Sequence, residues 1–179
     1  MSNKVTASNP KVGGAVYIAP VGTALPTSAD AALNAAFKSL GYISEDGLSN
    51  TNAPESENIK AWGGDIVLTI QESRDDTFTF KLIEALNADV LKAVYGSENV
   101  TVGNDDEITV SASNKAIEAA SWVIDMILKD NTPKRIVIPS GTLADVGEIV
   151  YKTNEVVGYD VTITAAVDAS GNTHYEYIG

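Results

Sequence analysis

Apolar and polar residues alternate along most of this 179-residue chain, which is the pattern of strands that bury one face. The run over 156–167 is the clearest example. Two further runs, 65–71 and 78–82, flank the charged triplet 74–76 and predict a hairpin that turns there. The same pattern predicts other strands at 15–19, 42–45, 108–112, 122–128, 135–139, 147–152 and 174–178.

Two segments follow the three- and four-residue spacing of an amphipathic helix. The first covers 29–39, and Gly41 stands where a C-terminal cap belongs. The second begins near Ile83 and ends before Gly96, and its single apolar face must pack on a sheet. The glycines that follow Trp62 predict a bulge.

Two polar stretches show neither the alternation of a strand nor the spacing of an amphipathic helix. Residues 1–12 predict an N-terminal arm that only a neighbour would hold in place. Residues 46–59 predict a long loop, and loops of that length are usually functional or ordered by a partner. The remaining chain, 13–179, predicts one α+β domain rich in strands: two packed antiparallel sheets, as a β-sandwich or flattened barrel, with a flanking α-helix.

The charge balance disfavours two classes of binding partner, nucleic acid and anionic membrane. The chain has 24 acidic and 12 basic side chains, for a net charge of −12. Proteins that hold nucleic acid or anionic membrane use clustered Lys and Arg, so both classes are disfavoured. The first residues lack the apolar core of a secretory signal, and no apolar run is long enough to cross a bilayer. We therefore expect synthesis in the cytoplasm.

Patterns for catalysis and metal binding are absent from the sequence. With one histidine and no cysteine, a zinc site would need three carboxylates, and His174 is interpreted as a solvated strand residue. Neither a Gly-x-Ser-x-Gly elbow nor a phosphate-binding glycine loop occurs. The acidic groups 74–76 and 104–107 are interpreted as solvated turns rather than a glycosidase pair or calcium loop. Trp62 and Trp122 are interpreted as core residues rather than a sugar platform. The sequence therefore predicts no enzyme activity and no cofactor.

Several segments, in their order along the chain, resemble the major tail proteins, or tail tube proteins, of phages with long non-contractile tails (siphophage type). Each motif is structural, and their succession over nearly the whole chain carries the resemblance. The segments are 10–20 (PKVGGAVYIAP), 40–48 (LGYISEDGL), 60–65 (KAWGGD), 80–96 and 157–162 (VGYDVT).

The resemblance implies a structural protein of the virion tail. In that family six subunits form a ring, rings stack into a hollow tube, and the genome passes through the tube into the host. The implied partners are further copies of the chain, the tape measure protein, the tail assembly chaperone, the tail terminator and the distal tail protein. DNA would pass without specific binding, and an acidic bore would repel its phosphates.

The resemblance also gives three groups of candidate contact residues. Segment 46–59 is similar in position to the family's loop that reaches the adjacent ring, and the arm 2–12 would make a second contact between subunits. The candidates in segment 46–59 are Asn50, Asn52, Pro54, Glu55, Glu57 and Asn58. The candidates in the arm are Lys4, Val5 and Lys11. The candidates for the lumen wall are Glu72, Asp75, Glu148 and Asp160.

Other functions stay open at this point. A carbohydrate-binding β-sandwich would present Trp62 and tyrosines to a sugar, and a small glycosidase would need paired carboxylates. Among tube proteins, a contractile tail, a tailocin or a secretion system would use a subunit of the same kind.

Overall fold

The computed structural model describes residues 4–11 and 14–179, except for the side chain of Glu72. The described residues form eleven strands and one α-helix, α1 (Ala88–Tyr95). Short 3₁₀ turns occupy Ser97–Asn99, Asn104–Asp106 and Lys129–Asn131. The strands are β1 (Ser8–Pro10), β2 (Val16–Pro20), β3 (Lys38–Ser39), β4 (Ile43–Lys60), β5 (Ile66–Leu82), β6 (Val100–Val102), β7 (Ile108–Val110), β8 (Ala120–Leu128), β9 (Pro133–Val146), β10 (Tyr159–Ala165) and β11 (Tyr175–Ile178).

The main sheet is antiparallel, with strand order β3-β2-β8-β9-β10-β5-β4. Two strands pair with β9 in succession: its first half pairs with β11 and its second half with β10. In a flat sheet β5 and β8 would lie three strand spacings apart, roughly 14 Å. Instead Phe80 of β5 meets Trp122 of β8, with ring centroids 6.3 Å apart. The sheet therefore folds over on itself, and the predicted β-rich α+β sandwich is confirmed; it is not a closed barrel.

Gly141 marks the point on β9 where the two halves of the sandwich meet. A Cβ atom there would lie 2.7 Å from Ile163 Cγ2 and 2.9 Å from Trp122 Cδ1. The indole Nε1 of Trp122 donates a hydrogen bond to the Gly141 carbonyl at 3.1 Å. Only glycine leaves room for the indole to pack directly on this backbone.

Helix α1 closes one side of the core. The Asn87 side chain accepts a hydrogen bond from the Asp89 amide at its start, and Gly96, at φ 91°, ends it. Its apolar face, Val90, Leu91, Ala93 and Val94, is buried in the same core as the sandwich. The predicted helix before Gly96 is thus confirmed, although it begins at Ala88 rather than near Ile83.

Arg135 of β9 and Asp125 of β8 form a buried ion pair on the side of these strands opposite α1. The guanidinium of Arg135 binds both carboxylate oxygens of Asp125, at 2.6 and 2.8 Å, and both side chains are almost completely buried. The remaining nitrogen donates to the carbonyls of Ser28 and Ala31, at 3.1 and 2.6 Å. The predicted helix over 29–39 is wrong: residues 29–37 form turns and irregular backbone, and 38–39 belong to β3. Arg135 takes the Ala31 carbonyl, which a helix would use for its own hydrogen bond.

Three other predictions about secondary structure are wrong. The triplet 74–76 is not a turn, because β5 runs through it without interruption. Segment 46–59 is not a loop but most of β4, which pairs with β5 along its length. Residues 147–152 are not a strand, since pairing between β9 and β10 ends at Val146. A polar strand with both faces in water has no alternating pattern, so the sequence hides it.

The other strand predictions are confirmed with shifted ends, at β2, β7, β8, β9, β10 and β11 and within β4 and β5.

Candidate assembly surface

The ends of β4 and β5 form a hairpin that projects beyond the sandwich. Strand β10 pairs only with residues 77–82 of β5. Toward the tip, residues 66–76 of β5 pair with β4 alone. We call the part formed by 52–60 of β4 and 66–76 of β5 the overhanging hairpin. At about 3.3 Å per residue it extends roughly 35 Å from the body.

A glycine turn closes the overhanging hairpin. The Ala61 amide donates to the Asp65 carbonyl at 2.8 Å, and the Gly64 amide donates to the Ala61 carbonyl at 3.0 Å. Gly63 and Gly64 have φ values of 119° and 100°, which side chains other than glycine rarely tolerate. The two glycines therefore make a hairpin turn and not the predicted bulge. Trp62 is fully exposed at this tip, so its predicted place in a core is wrong, whereas Trp122 is buried as expected.

The overhanging hairpin exposes an unusual amount of apolar surface. Leu68 pairs with Ile59, and Ile70 pairs with Glu57 two positions along the same face. Leu68 is 53% exposed and Ile70 is 44% exposed, and no second layer from the described part of the chain covers them. Contiguous apolar surface of this kind usually marks a contact with another protein. We call Ile59, Leu68 and Ile70 the apolar stripe; Ile66 and Val67 next to it are also exposed.

β4 is the last strand on its side of the main sheet. Its outer edge therefore presents backbone N–H and C=O groups along an 18-residue strand. Such an edge is a template for pairing with another chain unless it is blocked. Pro54 and the charged Glu55 and Glu57 lie on it, which are residue types that limit uncontrolled pairing.

The structure places all of the β4 candidates on or beside the overhanging hairpin. Four of them contact neighbouring side chains across the ladder. Asn52 accepts a hydrogen bond from the Arg74 guanidinium, Glu55 accepts from the Ser73 hydroxyl, Asn58 accepts from Thr69, and Asn50 donates to Asp76. Glu57 and Pro54 are exposed.

The sequence prediction missed the apolar stripe as a contact surface. The alternation over 65–71 is the available signal, but by itself it predicts a strand that buries one face in the chain's own core. A period-two pattern shows that one face is apolar, and it does not say whether that face meets the chain's own core or another molecule.

The described part of the N-terminal arm lies along its own subunit. Residues 8–10 form β1 and pair with the end of β8, and the Lys11 ammonium lies 3.5 Å from an Asp125 carboxylate oxygen. Lys4 and Val5 are exposed, and Ser2, Asn3 and Val12 lie outside the described residues. Three paired residues form a short contact, so the same chain anchors part of the arm.

The candidate lumen residues fall in two places. Asp75 is exposed on the overhanging hairpin. Asp160 lies on β10, 3.6 Å from the Lys81 ammonium, and the exposed Glu148 follows Gly147, whose amide donates to the Asp160 carbonyl. The structure therefore brings Glu148 and Asp160 into one neighbourhood and leaves Asp75 apart from them. The side chain of Glu72 is not described.

The root of the overhanging hairpin holds a buried polar cluster. The Asp76 side chain is fully buried, and its Oδ2 atom accepts from Thr173 Oγ1 and lies 2.5 Å from His174 Nδ1. Its Oδ1 atom accepts from Asn50 Nδ2 at 2.7 Å. Burial raises the pKa of Asp76, but the hydrogen bonds from Thr173, Asn50 and His174 outweigh it, so the pKa lies below its ordinary value of 3.8.

This cluster corrects two predictions from the sequence. His174 is not a solvated residue on a strand, because it precedes β11, is largely buried and contacts Asp76. Asp76 is not part of a solvated turn. Asp105 and Asp106, in contrast, form the exposed turn that was expected, with φ values near 60°.

A cavity of about 780 Å³ lies between α1, β2 and segment 115–120. Two of its three lysines, Lys92 and Lys115, form ion pairs with Asp89 and Glu98 of the same wall. In the described residues, no three His, Cys, Asp or Glu side chains gather into a group that could hold a metal ion. The same part of the chain contains no helix long and apolar enough to cross a membrane.

Comparison with known proteins adds one finding to this geometry. A family model described as "Phage tail tube protein" matches residues 3–179. No curated protein matches the chain.

Proposed function

Because the chain belongs to the phage tail tube protein family, we propose that its copies form hexameric rings, which stack into the conduit for DNA ejection. Members of this family are structural, so the protein is a component of the virion tail that self-assembles into a tube and is not an enzyme. The hexamer, the ring stacking and the passage of DNA are the proposed part.

The overhanging hairpin is the observation that carries the stacking proposal. A two-stranded ribbon with both faces in water is marginally stable by itself and gains stability when another surface covers it. The exposed apolar stripe supplies the area that such a contact would bury. A contact between different surfaces of identical subunits repeats without limit along one direction, which is how a tube lengthens. In this proposal the hairpin reaches the subunit of the adjacent ring, with the β4 candidates at the rim of the contact.

Ring closure requires contacts of a second kind, side by side. The outer edge of β4 and the opposite side of the sheet, where β2, β3 and the arm lie, are two edges that could make them. Pairing between neighbours would cover these edges, and a closed ring leaves none exposed. Lys4, Val5 and Lys11 would take part through the arm.

The charge of the chain supports the conduit. Each subunit carries a net charge of −12, and in a six-membered ring every acidic residue that faces the bore is repeated six times. We place Glu72, Asp75, Glu148 and Asp160 among the residues that face DNA, which they would repel rather than bind. Lys81 next to Asp160 reduces the contribution of that residue.

We propose the type of tail, the place of synthesis and the partner proteins from the family resemblance. The tube belongs to a long non-contractile tail of siphophage type, is made in the host cytoplasm, and assembles with a tape measure protein, tail assembly chaperone, tail terminator and distal tail protein. A contractile tail, tailocin or secretion system is the alternative setting, and a sheath around tubes seen by electron microscopy would favour it.

The test is a double substitution in the apolar stripe, Leu68→Ser with Ile70→Ser. Purified wild-type protein at high concentration, with tail initiator added, is expected to form tubes of uniform diameter by electron microscopy. The variant should keep its circular dichroism spectrum and remain unassembled, because the lost surface lies outside the core. Val167→Ser removes an apolar side chain that is 66% exposed on the body and serves as the matched control, which should assemble normally. Wild-type protein that stays monomeric would overturn the tube proposal, and tubes formed by the double variant would overturn the role of the stripe.

A further inference from the structure

The position of Asp76 is unusual for a carboxylate. It lies on β5 in alternation with Phe78, Phe80 and Leu82, all of which are buried in the core. A buried carboxylate is costly unless every oxygen is hydrogen-bonded, so an apolar residue would serve core packing better. Asp76 is also the first β5 residue beyond the ladder with β10, which places it where the overhanging hairpin leaves the body.

The partners of Asp76 come from two different parts of the fold. Asn50 belongs to β4, the other strand of the hairpin, and its amide also donates to the Thr77 carbonyl at 3.1 Å. Thr173 and His174 lie 97 and 98 residues further along the chain, just before β11. The carboxylate thus ties both hairpin strands to the segment that leads into β11.

That segment is itself held in place. The Tyr175 hydroxyl donates to Asp168 at 2.6 Å, and the Asp168 carboxylate also accepts from the backbone amides of Ser170 and Asn172. β11 pairs with β9, and the ring of His174 packs edge-on against Phe78 at 5.2 Å. Thr173 and His174 therefore stand on a segment that these hydrogen bonds and the pairing of β11 fix to the sandwich.

We propose that Asn50, Asp76, Thr173 and His174 form a latch that fixes the angle at which the overhanging hairpin leaves the body. Hydrogen bonds have narrow angular preferences, whereas apolar packing tolerates sliding and rotation, so a polar cluster at the root selects one orientation. A small change of angle at the root moves a tip about 35 Å away by many ångströms. For its effect on ring stacking the latch rests on the proposed function, but the fixed angle is a property of the single subunit.

The absence of cysteine from the sequence allows a direct measurement of this angle. Ala61→Cys at the tip and Ala166→Cys on the body, both exposed positions, accept nitroxide labels in the full-length, unassembled protein. Pulsed electron resonance between them should give one narrow distance distribution. Thr173→Val, which keeps the shape and removes the hydroxyl, should broaden it into several distances. Thr79→Val is the control, because it removes a comparable hydroxyl hydrogen bond, to Thr162. Thr79 lies on β5, the strand that carries Asp76, but within the part of β5 that pairs with β10.

Two further variants separate the latch from a general loss of structure. His174→Leu removes the donor to Asp76, whereas His174→Asn places an amide donor near the position of Nδ1. The latch predicts that the leucine variant broadens the distance distribution and the asparagine variant keeps it narrow, with both retaining the wild-type circular dichroism spectrum. A narrow, unshifted distribution in folded Thr173→Val and His174→Leu would overturn the proposal. The measurement needs no assembly, so a failure of tube formation in the wild type would count against the proposed function alone.

Discussion

The sandwich body and the overhanging hairpin are built from strands of the same sheet, yet they meet opposite surroundings. In the body, β5 carries Phe78, Phe80 and Leu82 into a core closed by α1. Ten residues toward the tip, the same strand carries Leu68 and Ile70 into water. The body therefore stabilises the subunit by itself, whereas the apolar stripe is left exposed, and in the proposed tube it meets a partner subunit. Substitutions in the two regions should therefore separate folding from assembly.

The largest loss of stability is expected where the body buries charge. Arg135→Met leaves the Asp125 carboxylate buried without its guanidinium partner, and breaking a buried pair in this way costs about 3–5 kcal/mol of unfolding free energy. Lys11, at 3.5 Å, is half exposed and can offset only part of the loss. Urea unfolding followed by circular dichroism measures the change. Adding Asp125→Leu to the same chain should recover much of the stability, and a double variant as unstable as Arg135→Met would contradict the explanation.

A smaller loss is expected from truncation in the core, and it provides the sharpest comparison of the two regions. Ile163→Ala removes a fully buried side chain of β10 and should cost about 2–5 kcal/mol. Leu68→Ala removes a similar side chain from the apolar stripe and should change stability by about 0.5 kcal/mol or less. Both values come from unfolding of the unassembled protein. If the two substitutions cost the same, the overhanging hairpin packs against its own subunit in solution.

The smallest effect is expected from acid titration at the boundary between the regions. The pKa of Asp76 is lowered in the folded protein, so its ionised form contributes stability above its unfolded value of 3.8, and that contribution is lost as pH falls through the lower folded pKa. The unfolding free energy of the wild type should therefore fall below about pH 4. Asp76→Asn should have a flatter pH profile in that range and a lower stability at neutral pH. Identical profiles would show that the Asp76 carboxylate is not held in its ionised form.

The success of the sequence predictions depends on whether the deciding contacts are local in the chain. The sequence predicts β10 because its side chains alternate between core and water. It predicts the end of α1 because Gly96 follows the helix. Both signals are local. Residues 46–59 of β4 are not predicted as a strand because both faces of that segment meet water, so nothing alternates. The helix over 29–39 is predicted from local spacing alone, whereas in the structure the Ala31 carbonyl accepts a hydrogen bond from Arg135, 104 residues away.

The sequence by itself determined the class of the protein: a β-rich domain with no cysteine, one histidine and an excess of acid, in a succession of motifs that belongs to the tail tube family. Only the tertiary structure decided which apolar face is core and which is exposed, and that His174 and Asp76 meet. The reason is that alternation and composition are properties of neighbouring residues. Burial depends on which strands pair, and β5 has a partner on its inner side only as far as Thr77.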